Sequence, residues 1–172
     1  MKVNVKYRKD KGDLLDDPTI CRHLVGSLIY LTTTRPDISY VVHQVSQFMS
    51  SPSHLYIAIV RRIIHYLRGS PTRGLFFPTS SSLQLIGYSD VDWAGCPDTR
   101  HSTTGWCMFL GDALISWRYK KQDRASKSST EAEYHVMSTA CSEIVWLCGL
   151  LAELEFPQTT VTPLHADNTS AI

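Results

Sequence analysis

The stretch "SSTEAEYHVMSTACSEIVWLCGLLAELEF", residues 128–156, predicts the longest helix of the chain. It contains no proline, and it opens with serines and a threonine that can cap a helix. Steps of alternately four and three residues from Glu133 meet only apolar side chains, namely Met137, Ala140, Ile144, Leu147, Leu151 and Leu154. This apolar stripe is typical of a helix that packs one face against a sheet.

Two glutamates at the start of this helix occupy different faces. Glu131 shares its face with three polar side chains, His135, Ser138 and Ser142, and we expect that face to meet solvent. Ser128 to Glu131 and Thr130 to Glu133 both have the spacing of a capping box, so each glutamate has a structural explanation. Glu133, however, lies in line with the apolar stripe, where a carboxylate must be paired or bound to a metal ion.

The residues around the helix predict four strands. Residues 82–90, 103–111 and 112–120 read as strands separated by short turns, which indicates an antiparallel meander. Residues 161–167, "VTPLHAD", read as a last short strand after the helix. The order β-β-β-α-β predicts an α+β fold in which the long helix packs across the sheet.

Three carboxylates are expected to converge on this sheet: Asp90 at the end of the first strand, Glu133 on the helix and Asp167 at the end of the last strand. Clustered carboxylates repel one another unless a cation neutralises them. Hard oxygen ligands favour Mg²⁺ or Mn²⁺, and a two-ion site of this kind suits hydrolysis of a phosphodiester. The alternative, that the acids are only caps and turn formers, explains each residue singly but not their convergence.

The first part of the chain predicts three helices and a basic surface. Residues 18–34, 35–51 and 51–71 each show apolar residues at helical spacing. Arg61 and Arg68 form a stripe with His65 that suits phosphates, although a solvated helix face is an equally good interpretation. We therefore divide the chain into a helical segment, 1–80, and an α+β domain, 81–172.

Charge is distributed unevenly along the 172 residues, although the net charge is only +1. Residues 1–80 hold 11 Lys and Arg against 5 Asp and Glu, whereas the remainder holds 6 against 11. Within the acidic half, "WRYKKQDRASK" at 117–127 concentrates five cations that we expect to contact backbone phosphates, namely Arg118, Lys120, Lys121, Arg124 and Lys127.

Cysteine spacing and hydropathy exclude several classes of protein. The five cysteines form no CxxC pair, which argues against a disulfide framework and against a structural zinc site. No uninterrupted apolar run suggests a membrane span, and the N-terminus lacks the apolar stretch of a signal peptide. We expect an intracellular chain, in the cytoplasm or a virus-like particle, with the nucleus as an alternative, and no membrane partner.

Several motifs together resemble a known family. "GYSDVDWAG", "STTGWCMFLG", "ISWRYKKQ", "SSTEAEY", "WLCGLLAEL" and "LHADNTSAI" are similar to the ribonuclease H (RNase H) domain of copia-type retrotransposon Pol polyproteins, in the family's order. "LVGSLIYLTTTRPDISYVVHQVSQFMSSPS" and "IIHYLRGSPTRGL" resemble the segment that joins reverse transcriptase to that domain. The resemblance implies an RNase H-like mixed sheet and Mg²⁺-dependent cleavage of RNA in RNA–DNA hybrids. It places the catalytic carboxylates at Asp90, Glu133 and Asp167.

Two departures from the family pattern bear on activity. The paired aspartates of the polymerase are absent, so we do not expect DNA synthesis from this chain. The family's RNase H domain continues to a fourth acidic residue, whereas this sequence stops at Ile172, so we expect a truncated domain with weak or absent cleavage. The expected partners are an RNA–DNA hybrid and the remainder of the polyprotein, including reverse transcriptase. A catalytically dead, nucleic-acid-binding remnant is the alternative.

Overall fold

A computed structural model of the chain describes residues 12–96 and 98–167. It divides the chain into two compact units, of which the first ends at Leu75 and the second begins at Phe76. The last five residues of the motif "LHADNTSAI" lie outside the described residues.

The first unit is helical, as predicted. It contains α1 (Thr19–Leu31), a 3₁₀ turn (Pro36–Ile38), α2 (Ser39–Ser46) and α3 (His54–Arg68). Their apolar faces form one core, whose fully buried members include Cys21, Ile38, Val42, Val45, Tyr56 and Val60. The second helix is shorter than the sequence predicted, because after Ser46 the chain tightens into turns with hydrogen bonds between residues three apart.

A buried arginine holds the α1–α2 corner of this unit against the end of α3. Arg35 is 5% exposed and donates to both carboxylate oxygens of Asp37, at 2.9 and 2.8 Å, and to the carbonyl of Ser70 at 3.0 Å. The Tyr66 hydroxyl also donates to Asp37, at 2.8 Å. These bonds stabilise the carboxylate, those from Arg35 most strongly, and they lower the pKa of Asp37 to about 2 although its partial burial opposes the shift.

The second unit is an α+β fold, which confirms the predicted class. Its elements are β1 (Leu85–Asp92), β2 (Thr103–Leu110), β3 (Ala113–Lys121), α4 (Ser129–Glu153) and β4 (Leu164–Ala166). The sheet order is β3-β2-β1-β4, with β1–β2 and β2–β3 antiparallel and β4 parallel to β1. The predicted meander is therefore present, and β4 makes the sheet mixed.

Helix α4 packs across this sheet through the face that the sequence predicted. Glu133, Ala140, Leu147 and Leu151 of the predicted stripe are buried on that face. Val136, which the stripe left out, is buried, whereas Met137 is only half-buried. The stripe differs at its end, where Leu154 is 58% exposed because the helix stops at Glu153. Gly87 of β1 lets the helix approach closely, since a Cβ at that position would lie 3.1 Å from Ile144 and 3.0 Å from Met108.

By length and mean hydropathy α4 is the one helix of the described residues that could cross a membrane. Its buried apolar residues pack on the sheet, as those of a core helix do. The composition of this helix is therefore weak evidence for a membrane span.

Candidate metal centre and basic cleft

The parallel pairing of β1 and β4 brings two predicted carboxylates side by side. Ser89 pairs with Ala166, and an aspartate follows each of these residues, Asp90 in one strand and Asp167 after the other. Because adjacent strands lie about 5 Å apart, the two aspartates lie next to each other where the pairing of β1 with β4 ends.

Helix α4 adds the third carboxylate. One potential ligand atom each from Asp90, Glu133 and Asp167 lies within 4.8 Å of the other two. Glu133 is 4% exposed, whereas both aspartates are exposed. The centre therefore combines one buried carboxylate with two that are open to solvent.

The electrostatics of Glu133 favour a neutralising group. Burial raises the pKa of Glu133, the negative charges of Asp167 and Asp90 raise it further, and a hydrogen bond with Asp167 acts in the same direction. Among the described residues, Oε2 of Glu133 has no hydrogen-bond partner. A buried carboxylate oxygen without a donor, facing two further carboxylates, fits a hard divalent cation such as Mg²⁺ or Mn²⁺.

The neighbouring glutamate has the structural role that its spacing predicted. Ser128 caps α4 by accepting a hydrogen bond from the backbone N–H of Glu131 at 3.1 Å. The Glu131 carboxylate accepts one from the backbone N–H of Lys127 at 2.6 Å and lies 3.9 Å from the His135 ring. Glu131 therefore stabilises the first turn of the helix and is not a member of the carboxylate cluster.

Four of the five cations predicted at 117–127 line a single cleft of about 400 Å³, namely Arg118, Lys120, Lys121 and Arg124. The first three lie on β3, and only Arg124 lies in the loop after it. We call this cleft the basic cleft. Its other lining residues are polar or acidic: Thr104, Gln122, Asp123, His135 and Thr139. The sheet supplies Arg118 and Lys120, while α4 supplies His135 and Thr139, so the cleft lies beside the N-terminal half of the helix.

The remaining predicted cations lie elsewhere. Lys127 is exposed just before α4 but does not line the basic cleft. Arg61 and Arg68 are exposed on α3, in the first unit. The predicted contacts of all seven cations with phosphates stay a prediction.

The sequence interpretation missed two features of this region. Gln122 forms several long-range hydrogen bonds beside the first turn of α4, and only tertiary structure could reveal those partners. All five cysteines are free, as expected, but Cys96 accepts a hydrogen bond from the Lys121 ammonium at 2.8 Å. Burial opposes its ionisation, yet Lys121 and bonds from Thr99 outweigh that effect and lower the pKa of Cys96 to about 7.

The second unit is therefore an α+β domain in which residues of β1 and α4 and the residue directly after β4 form a cluster of three carboxylates. The chain is 46% identical over 93% of its length to the retrovirus-related Pol polyprotein from transposon RE1 of Arabidopsis thaliana. It is 42% identical over 99% of its length to that from transposon RE2 of the same plant. It is 37% identical over 95% to that from transposon TNT 1-94 of Nicotiana tabacum.

The chain belongs to the copia-type retrovirus-related Pol polyproteins of transposons. It spans only 11% to 12% of the length of these three relatives, and in each of them the matching segment is part of a much larger polyprotein. No family model matches the chain, and no solved structure matches it significantly.

Proposed function

We propose that this chain carries the ribonuclease H activity of a retrotransposon polyprotein, the metal-dependent hydrolysis of the RNA strand of RNA–DNA hybrids. The observation that supports this proposal most is the convergence of Asp90, Glu133 and Asp167 within 4.8 Å, in a chain that belongs to a Pol polyprotein family. An RNA–DNA hybrid is the substrate that the resemblance to the family's RNase H domain implies.

The three carboxylates would hold Mg²⁺ or Mn²⁺, which activates water and stabilises the leaving oxygen in phosphodiester hydrolysis. Asp90 and Asp167 are exposed and would face the scissile phosphate, whereas buried Glu133 would anchor the cation from the core side. Cation binding would also stabilise the ionised form of Glu133, whose pKa is raised by burial and by its two acidic neighbours.

The basic cleft would contact the backbone of the nucleic acid. Its four cations come from the end of β3 and the following loop, and backbone phosphates are the groups that such clusters bind. Hybrid duplexes are recognised mainly by shape and by backbone contacts, so we expect binding without sequence preference. The reverse transcriptase part of the polyprotein is the proposed protein partner.

A nucleic-acid-binding remnant without catalytic activity is the second candidate. The observation in its favour is that the four cations of the basic cleft are distinct from the three carboxylates. Binding of a polyanion therefore needs neither a bound cation nor an intact carboxylate centre.

A cleavage assay separates the two candidates. The chain is incubated with a hybrid carrying a labelled RNA strand, with Mg²⁺, with Mn²⁺ and with a chelator. Metal-dependent cleavage that is lost in Asp167→Asn and retained in Asp112→Asn supports the enzyme. Binding of the hybrid without cleavage under any of these conditions supports the remnant.

A further inference from the structure

Gln122, the residue directly after β3, forms side-chain hydrogen bonds with β2 and with the first turn of α4. Its side-chain amide donates to the Thr104 hydroxyl of β2 at 3.2 Å and to the Ala132 carbonyl of α4 at 3.3 Å. Its side-chain oxygen accepts a hydrogen bond from Ser126 at 3.1 Å, and its backbone N–H donates to Ser102 at 2.8 Å. One side chain therefore connects β2, the loop before α4 and the first turn of α4.

The bond to Ala132 matters because Glu133 is the next residue along the helix. Ala132 is fully buried, so the first turn of α4 is packed inside the unit at this residue. Successive side chains of a helix point about 100° apart, so the direction of the Glu133 side chain depends on how the turn is rotated about the helix axis. Rotation of that turn would therefore move the Glu133 carboxylate away from Asp90 and Asp167. The hydrogen bond from Gln122, directly after β3, to the Ala132 carbonyl opposes such a rotation.

We infer that Gln122 is a positioning residue, which holds the first turn of α4 so that Glu133 reaches the two aspartates. The inference rests on the proposed function, because it gives Gln122 a role in cation binding by the same centre. Residues that orient metal ligands commonly contribute about 10–100-fold to metal affinity. Gln122 acts through the helix backbone, and its side chain is placed to contact Ala132 rather than the cation.

The chain offers a matched control at the other end of α4. The side chain of Gln158 accepts from the backbone N–H of Leu85 and donates to the carbonyl of Leu83, both at 2.9 Å. It joins the segment after the helix to the start of β1, away from the carboxylates. Gln122→Met and Gln158→Met therefore each remove a side chain that hydrogen-bonds to two other segments of the same unit, with a similar expected loss of stability.

The experiment measures two quantities on the full chain and on both variants. Amide hydrogen exchange without metal reports on the first turn of α4, at residues 131–136. Titration calorimetry with Mn²⁺ reports the Kd of the centre, below the melting temperature of every variant. We expect Gln122→Met to exchange faster in that turn and to bind Mn²⁺ about 10-fold more weakly. Gln158→Met should match the wild type in both.

Each other outcome is decisive. An unchanged Kd in Gln122→Met, or an equal loss in Gln158→Met, would overturn the inference and leave the proposed function standing. Wild-type chain that binds no Mn²⁺ would overturn the proposed metal centre itself, and the positioning role with it. If Gln122→Met does not fold, Thr104→Val removes only the β2 contact of the same amide, and it should weaken Mn²⁺ binding in the same direction.

Discussion

Ser89 and Ala166 are directly paired in the parallel ladder between β1 and β4, and an aspartate follows each of them. This register aligns Asp90 with Asp167, although the long helix separates their strands in the sequence. The same helix places the Glu133 carboxylate within 4.8 Å of the two aspartate carboxylates. The centre thus depends on one strand register and one helix phase, and each can be tested separately.

Cation binding should depend on Asp90 but not on its neighbour Asp92. Calorimetric titration of the chain with Mg²⁺ or Mn²⁺ should show binding that is lost in Asp90→Asn, because one of three ligands loses its charge. Asp92→Asn is the matched control, since Asp92 is also exposed at the end of β1 but lies outside the cluster. Equal binding by Asp90→Asn and wild type would remove Asp90 from the site.

Substitution of Glu133 and of Glu131 should have opposite effects on the thermal stability of the metal-free chain. The pKa of Glu133 is raised in the folded state, so its contribution to stability falls as pH rises above the ordinary value of 4.5. Glu133→Gln should therefore raise the melting temperature of the metal-free chain at pH 7, while abolishing its stabilisation by Mg²⁺. Glu131→Gln should cost at most about 0.5–2 kcal/mol through weaker capping and keep the Mg²⁺ response. Reversed results would mean that the helix phase is wrong.

The basic cleft should contribute phosphate contacts that salt weakens. Arg118→Gln and Arg124→Gln should each lower the slope of log affinity against log salt by about 1, because each removes one phosphate contact. Arg100→Gln, on an exposed residue outside the cleft, serves as the control. Fluorescence anisotropy with hybrids of two unrelated sequences measures both affinity and sequence preference. A strong preference for one sequence would contradict backbone recognition.

Acid should destabilise the first unit through Asp37. The pKa of Asp37 is lowered from 3.8 to about 2, so its stabilising effect is complete above pH 3.8 and is lost as pH falls toward 2. Asp37→Asn should cost about 1–2 kcal/mol at pH 7, allowing for its partial exposure, and should flatten the acid dependence. Circular dichroism melts between pH 2 and 7 test this. Asp17→Asn, at an exposed residue that accepts a hydrogen bond from the backbone N–H of Thr19, should change little.

Cys96 should be the most reactive thiol near neutral pH. Because its pKa is lowered to about 7, roughly half of it is thiolate at pH 7, whereas burial raises the pKa of Cys107. Mass spectrometry after short iodoacetamide pulses should show Cys96 modified before exposed Cys141. Lys121→Met should slow the modification of Cys96 by iodoacetamide and leave the rate at Cys141 unchanged. Equal rates at Cys96 in the two proteins would show that Lys121 does not activate the thiol.

Local periodicity was enough to predict much of this chain. The apolar stripe of α4 placed Glu133 on the buried face and Glu131 on the exposed one, because the helical repeat alone determines which residues share a face. Strand-like segments separated by short turns likewise predicted the meander of β1, β2 and β3. The end of each of these patterns was less certain: α2 stops at Ser46 and α4 at Glu153, since capping and packing, rather than periodicity, determine where a helix ends.

Tertiary structure alone decided the contacts between residues that are distant in the chain. The spacing of apolar residues carries no information on strand register, so the alignment of Ser89 with Ala166 could not be read from it. The hydrogen bond from Gln122 to Ala132 and that from Lys121 to Cys96 are equally invisible in the sequence. Each of these hydrogen bonds depends on how whole helices and strands pack. Many residues could offer the same donors and acceptors, and packing determines which of them meet.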